Sequence, residues 1–259
     1  MVTLLDNCNL AIGLDTKNNT LLLSENIVTK KPQTVSLLSL LPTLLNKSLS
    51  YPEDVYNEYN TVYHLDDYFL ADLEVEFDIV YLPAGLLGIE YIKSHIYYSP
   101  PNNAGGTFTT IVEVLYGKLT IILQKNKPQI DEFEFSTTVD KGYVIKVKQG
   151  EKCAIPKGYF YTFINTSDYP VIFVKINKTQ THADYDLLKR EGGLAYYCIR
   201  KNAREEIVHN PRYRETPKIK KLKPDFFINN IPLEWTHPLY DILKLEKRLL
   251  TEVLCDNCN

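Results

Sequence analysis

The sequence predicts an all-β fold, a barrel or double-sheet jelly roll, on three observations. Between residues 74 and 200 roughly eight short strand-like runs follow one another, punctuated by Gly, Pro and Asn turn residues. Tyrosine is abundant, 19 residues against one tryptophan and one methionine, and many of these rings alternate within the runs, where an aromatic suits a half-buried pleated surface. The stretch GEKCAIPKGYFYTFIN, residues 150–165, spaces a glycine turn, a strand, a Pro-x-Gly reversal and a second strand.

The elements follow in order. Residues 1–30 hold two strand-like pieces, LAIGL and TLLLSENIV, separated by the turn residues Lys17, Asn18 and Asn19. Residues 34–46 read as helical, with Pro42 breaking the helix or opening a second turn, and residues 51–66 as a short helix entering a strand. Strand runs then cover 74–82, 89–99, 109–115, 119–124, 143–147, 153–156, 159–164 and 171–176, with a further strand at 194–200. Residues 201–237 are loop-rich, and 238–254 carry apolar residues at helical spacing behind Pro238, which suits a first turn. The expected organisation is an N-terminal arm with helices over 1–73, the barrel over 74–200 and a loop-and-helix extension over 201–259.

Composition excludes several function classes. The 259 residues are 44% hydrophobic and 24% charged, the balance of a globular protein, and no run approaches the roughly 18 apolar residues of a membrane span. No basic region precedes the first apolar residues, so no secretory signal is read and a cytoplasmic location is expected. A net charge of −3 gives no global attraction for nucleic acid, and the one basic run, 218–223, reads as a solvated loop in preference to a phosphate contact. The cysteines are Cys8, Cys153, Cys198, Cys255 and Cys258, and Asp-Asn-Cys-Asn occurs at 6–9 and again at the end. Cys8 pairing with Cys255 or Cys258, a zinc or dithiol role for Cys255 and Cys258, and a free tail all remain open.

The 150–165 spacing resembles the second motif of the cupin barrels, in which the second strand carries a metal-binding histidine. Tyr161 stands there. The first motif of that family supplies His-x-His and a glutamate with six residues between it and a glycine turn; with Gly117 as the turn, those positions are Tyr97, Ser99 and Thr110. Hydroxyl groups are poor ligands for a divalent metal beside imidazole and carboxylate. No cofactor is therefore expected, and a divalent metal only if the site is rebuilt. His95 shares strand parity with Tyr97 and Ser99, whereas Glu113 has the opposite parity from Thr110.

More specifically, the chain resembles the cupin-type glucose-6-phosphate isomerases. The residues that carry this are Gly88 to Ser94 (GIEYIKS), Val112 to Gly117 (VEVLYG), Leu123-Gln124, Ile155 to Gly158, Asp184-Tyr185, Gly192-Gly193, Asn210 to Tyr213 (NPRY) and Pro238 to Leu243. The resemblance covers roughly residues 74–250 and implies a homodimer. It also implies metal-assisted proton transfer between C1 and C2 of fructose 6-phosphate, through the positions occupied here by Tyr97, Ser99, Thr110 and Tyr161. The family's phosphate-binding threonine maps onto Ser94; Lys93, Thr107 and Thr109 are further phosphate candidates, and Tyr159, Tyr161 and Tyr185 candidates for lining a sugar-sized cavity. A family histidine falls at Ala183, next to His182.

Three functions follow. The first is a metal-free relative without isomerase turnover that binds a sugar phosphate or serves as an interaction protein. The second is an active aldose-ketose isomerase with a reorganised site built from His95, His182, Glu113 or a tyrosinate. The third is a cupin enzyme acting on another small molecule.

Overall fold

The chain changes sheets at glycines. Gly117, Gly150 and Gly158 have φ of +83°, +81° and +82°, left-handed values that cost little only without a Cβ. Each sits at a corner where the chain leaves one sheet and enters the other. In the computed structural model, which describes residues 2–4, 8–15, 17–18, 20–30, 32–73, 75–98, 108–127, 136–178, 185–231 and 233–254, these corners turn a linear series of strands into two facing sheets.

The six-stranded sheet runs in the order Lys152–Pro156, Phe108–Tyr116, Val171–Lys178, Val75–Leu82, Asp54–Tyr59, Gln33–Ser36. The five-stranded sheet runs Tyr97–Tyr98, Phe160–Asn165, Lys118–Asn126, Val139–Lys148, Lys220–Leu222. From Phe108 to Lys178 the chain passes back and forth between the two sheets, with the hairpin of Lys118–Asn126 and Val139–Lys148 kept within one of them, as in a double-stranded β-helix, and the apolar inner faces meet in a layer that includes Val112, Val114, Ile121, Ile145, Phe163 and Phe173. This is the cupin-type jelly roll that the motif spacing predicts, built as two packed sheets.

Both outer faces are covered as well. Ile79, Ile111, Ile172 and Val174 pack under Leu10, Ile12 and Leu14 of the N-terminal arm and under Leu239, Tyr240 and Ile242 of the C-terminal helix. On the other side Ile122, Val144 and Ile164 pack against Leu188, Leu194 and Tyr196. Tyr196 belongs to a small sheet ordered Arg204–His209, Tyr196–Lys201, Glu90–Tyr91, Leu86–Leu87. Burial on two faces explains why the central strands read as continuous apolar runs.

Four local expectations change. Residues 34–46 open with the strand Gln33–Ser36, and the helix that follows is short, Leu37–Leu40, before a 3₁₀ turn at Leu41–Thr43 with Pro42 in its first turn. Residues 51–66, read as a short helix leading into a strand, hold the strand Asp54–Tyr59, because Asn57, Glu58 and Tyr59 pair with Tyr81, Val80 and Ile79 of Val75–Leu82. The sheet therefore reaches back to Gln33, ahead of the boundary read at residue 74. The basic run contains a strand, since Leu222 can bury its side chain while Lys220 and Lys221 stay exposed beside Val139–Lys148. The C-terminal helix is divided at Glu246 into Leu239–Leu245 and Lys247–Leu254. Among the described residues no helix is long and apolar enough to cross a membrane. Cys8, Cys153 and Cys198 are buried; Cys255 and Cys258, with the pairings weighed for them, lie outside the described residues.

The corners make a stability prediction. A Cβ on Gly117 would meet the Pro170 carbonyl oxygen at 2.7 Å, whereas one on Gly150 would meet nothing within 4 Å. Gly150→Ala should cost about 1 kcal/mol for its φ alone. Gly117→Ala should cost more, about 2–3 kcal/mol, because backbone must also shift. Equal denaturant midpoints for the two variants would contradict this account of the corners.

Candidate functional site

Tyr97 and Tyr161 lie directly opposite one another on neighbouring strands of the five-stranded sheet, with rings stacked at 5.3 Å. Thr110 comes from the facing sheet, and its hydroxyl lies 2.8 Å from the Tyr161 hydroxyl, a hydrogen bond that crosses the interior. The structure thus brings together three of the four positions where the family resemblance implies metal ligands. Ser99, the fourth, lies outside the described residues.

Around these hydroxyls stand three buried ionisable side chains that the sequence reading did not single out: Glu58, Asp78 and Lys175. The Tyr97 hydroxyl donates to Glu58 Oε1 at 2.6 Å, and the Tyr56 hydroxyl lies 3.4 Å from the same atom. Lys175 Nζ is 3.2 Å from Asp78 Oδ2, its cross-strand partner, and 5.1 Å from the centre of the Tyr97 ring. The Thr61 amide donates to Asp78 Oδ1 at 2.9 Å. Two of these residues leave a trace in the sequence. Asp78 and Lys175 are lone charges inside the apolar runs FDIVYL and VIFVKI, and a charge there requires a partner. Glu58 was hidden by the helical reading of its segment.

The electrostatics are those of a closed network. Burial alone would lower the Lys175 pKa, but Glu58, Asp78 and Tyr161 beside it outweigh that and hold the ammonium charged. Burial pushes the Tyr161 phenol up to about 12, against the hydrogen bond from Thr110 and the nearby Lys175. Burial thus favours the neutral phenol over a tyrosinate at this position. These donors do not fit a divalent metal. Tyr97, Thr110 and Tyr161 offer neutral hydroxyls already engaged, and a fixed ammonium stands where a second cation would be repelled. Among the described residues no three His, Cys, Asp or Glu side chains gather in a metal-holding group.

Of the remaining candidates His95 borders the network, its amide donating to the Tyr56 hydroxyl at 3.1 Å, and the others lie apart from it. His95 lies on the interior side with Tyr56, rings 6.1 Å apart, and its Nε2 is 3.1 Å from the Ser39 hydroxyl. Glu113 faces the opposite side of its sheet, where it pairs with Lys152 at 2.9 Å and accepts the Leu239 amide at 2.6 Å, so it anchors the C-terminal helix. Lys93 Nζ donates to Glu90 at 2.8 Å and to the Thr43 carbonyl at 2.9 Å. The Ser94 hydroxyl accepts the Phe163 amide at 3.0 Å and donates to the His95 carbonyl at 2.7 Å. Both polar ends are directed into the framework. The Thr109 hydroxyl is buried with no partner among the described residues. Tyr159 packs beside Tyr143 and Phe227 at the end of the interior layer. Tyr185 opens the helix Tyr185–Glu191, while Thr107 and His182 lie outside the described residues.

A family model described as Glucose-6-phosphate isomerase (GPI) matches residues 45–215, well over half of the chain. No curated protein matches. Among solved structures, oxalate decarboxylase from Bacillus subtilis is 12% identical with a TM-score of 0.32, covering 48% of this chain and 25% of that one. A formate complex of the Lactobacillus farciminis oxalate decarboxylase is 12% identical with a TM-score of 0.34, covering 51% of this chain and 31% of that one. Peruvianin-I, a cysteine peptidase from Thevetia peruviana latex, is 12% identical with a TM-score of 0.28, covering 42% and 53%. This chain therefore spans a quarter to about half the length of those proteins.

Two measurements probe the network. Lys175→Met keeps the aliphatic bulk and leaves Glu58 and Asp78 uncompensated, so unfolding free energy should fall by about 3–5 kcal/mol. Adding Asp78→Asn should recover part of that loss, and a single variant as stable as the parent would contradict the network. His95 supplies a pH signature. Burial lowers its pKa below the ordinary 6.5, against Glu58, so its contribution is complete above about pH 6.5 and is lost as pH falls through the lower folded value. The denaturant midpoint of the parent should drop more steeply below pH 6.5 than that of His95→Asn; parallel profiles would place His95 outside the buried shell.

Proposed function

The chain belongs to the glucose-6-phosphate isomerase family, and from that premise we propose that it is a metal-free member without isomerase turnover, which acts by binding. The observation that carries this reading is the Glu58–Tyr97, Thr110–Tyr161 and Lys175–Asp78 network across the interior. Moving a proton next to a carbonyl needs a base at the carbon and an electrophile for the developing oxyanion. Thr110 has no basic atom for that role, and the carboxylates nearby are committed to Tyr97 and Lys175.

Binding itself has two versions. A sugar phosphate would have to draw on groups that are engaged elsewhere: Lys93 and Ser94 in the framework, Tyr161 with Thr110. The unpartnered Thr109 hydroxyl is the one observation that favours a ligand there. Commitment of the other groups favours the second version, in which the barrel is a scaffold and its surface makes the contacts.

A coupled isomerase assay on the purified chain, run with added divalent metals and again with chelator, tests the proposal. No turnover of fructose 6-phosphate is expected in either condition. Metal-stimulated turnover abolished by His95→Ala would overturn it in favour of an active isomerase with a reorganised site. Saturable binding of fructose 6-phosphate without turnover would establish the ligand-binding version.

A further inference from the structure

The outer surface carries a groove of about 550 Å³ between the strand Arg204–His209 and residues 216–221. We infer that this groove is a docking site for an extended acidic peptide of a partner protein, which adds as a strand to the Arg204–His209 edge. The inference stands apart from the interior network and holds whether or not the interior turns over substrate.

Both walls are sheet edges. Arg204–His209 is the last strand of the small four-stranded sheet and Lys220–Leu222 the last of the five-stranded sheet. An edge strand presents one row of main-chain N–H and C=O groups, which an extended peptide can pair. The floor is apolar, formed by Val144, Tyr196, Ile207 and Ile219. It exists because residue 142 is glycine: a Cβ there would lie 2.4 Å from the Tyr196 hydroxyl oxygen and 2.7 Å from its ring. The walls are tied in place before any partner arrives. The Tyr196 hydroxyl donates to the Pro217 carbonyl at 2.7 Å, and Thr216 bonds the His209 ring at the end of the edge strand. A preformed groove binds without an ordering cost of its own.

Charge selects the occupant. Glu205 is held by Lys146 at 2.7 Å and Glu206 by Lys201 at 3.3 Å, so the acidic wall is neutralised. Lys218 and Lys221, with Lys220 and Lys223 beside them, make no ion pair among the described residues. A chain of net charge −3 therefore presents a locally basic groove, which attracts acidic side chains and steers their approach. The apolar floor and free strand edge favour a peptide with alternating acidic and apolar residues. A nucleic-acid backbone would find basic charge on one wall alone.

The test uses the full chain with three fluorescein-labelled probes: a peptide of alternating Glu and Val, the same peptide with Lys for Glu, and a single-stranded oligonucleotide. Anisotropy should show saturable, salt-sensitive binding of the acidic peptide. Lys218→Glu/Lys221→Glu should weaken it about tenfold, while Lys17→Glu/Lys47→Glu, an equal change in net charge away from the groove, should leave it unchanged. With the parent chain, bound peptide should slow amide exchange in residues 204–209. The inference is overturned by absence of saturable binding, by tighter binding of the oligonucleotide, by equal loss in the two double variants, or by exchange protection elsewhere.

Discussion

Lys175 inside the sheet sandwich is the constraint on which the rest of the site depends. A buried ammonium is tolerated only where anions and hydrogen-bond acceptors surround it, and its charge in turn makes buried carboxylates tolerable. Asp78 meets it across the strand pair at 3.2 Å, and Glu58 contributes from the next strand of the same sheet. Tyr97 then has to donate to Glu58, and Tyr161, left as a neutral phenol, pairs with Thr110. In a relative that used histidine and carboxylate at these places a metal would supply the positive charge. Here a side chain supplies it, fixed by a covalent tether.

The family motifs in this chain hold the framework together. Asn165 donates through one side-chain nitrogen to the carbonyls of Leu82, Pro83 and Tyr169, locking the corner after the Phe160–Asn165 strand. Glu90 accepts the Leu45 amide at 2.5 Å and the Lys93 ammonium at 2.8 Å. Asn210 donates to the carbonyls of Glu191 and Leu194, and the Tyr213 hydroxyl to that of Gly193. Gly193 has φ of +113°, and a Cβ there would lie 2.6 Å from the Thr43 carbonyl oxygen, so the position requires glycine on both counts. In this chain these residues serve the architecture, and the interior positions Tyr97, Thr110 and Tyr161 are held by a separate set of contacts.

Legibility followed the same division. The two-sheet fold could be read from glycine spacing, since Gly117, Gly150 and Gly158 mark the sheet-to-sheet corners by backbone geometry alone. The convergence of Tyr97, Thr110 and Tyr161 was implied by the family resemblance, whose motif positions are counted from Gly117 and Gly158. Glu58 could not be read, because the pairing of Asp54–Tyr59 with Val75–Leu82 is a tertiary contact that overrides a short acidic, aromatic segment's local preference. The roles of Lys93 and Ser94 were likewise invisible, since their partners, Thr43 and Phe163, are remote in sequence.

The central claim is that the interior already contains its cation. Anomalous diffraction from crystals soaked in manganese(II), recorded at the manganese edge, examines it most directly. The account predicts no anomalous peak among Tyr97, Thr110 and Tyr161, with the Lys175 side chain in place against Asp78. A peak there, with Lys175 displaced from Asp78, would contradict it.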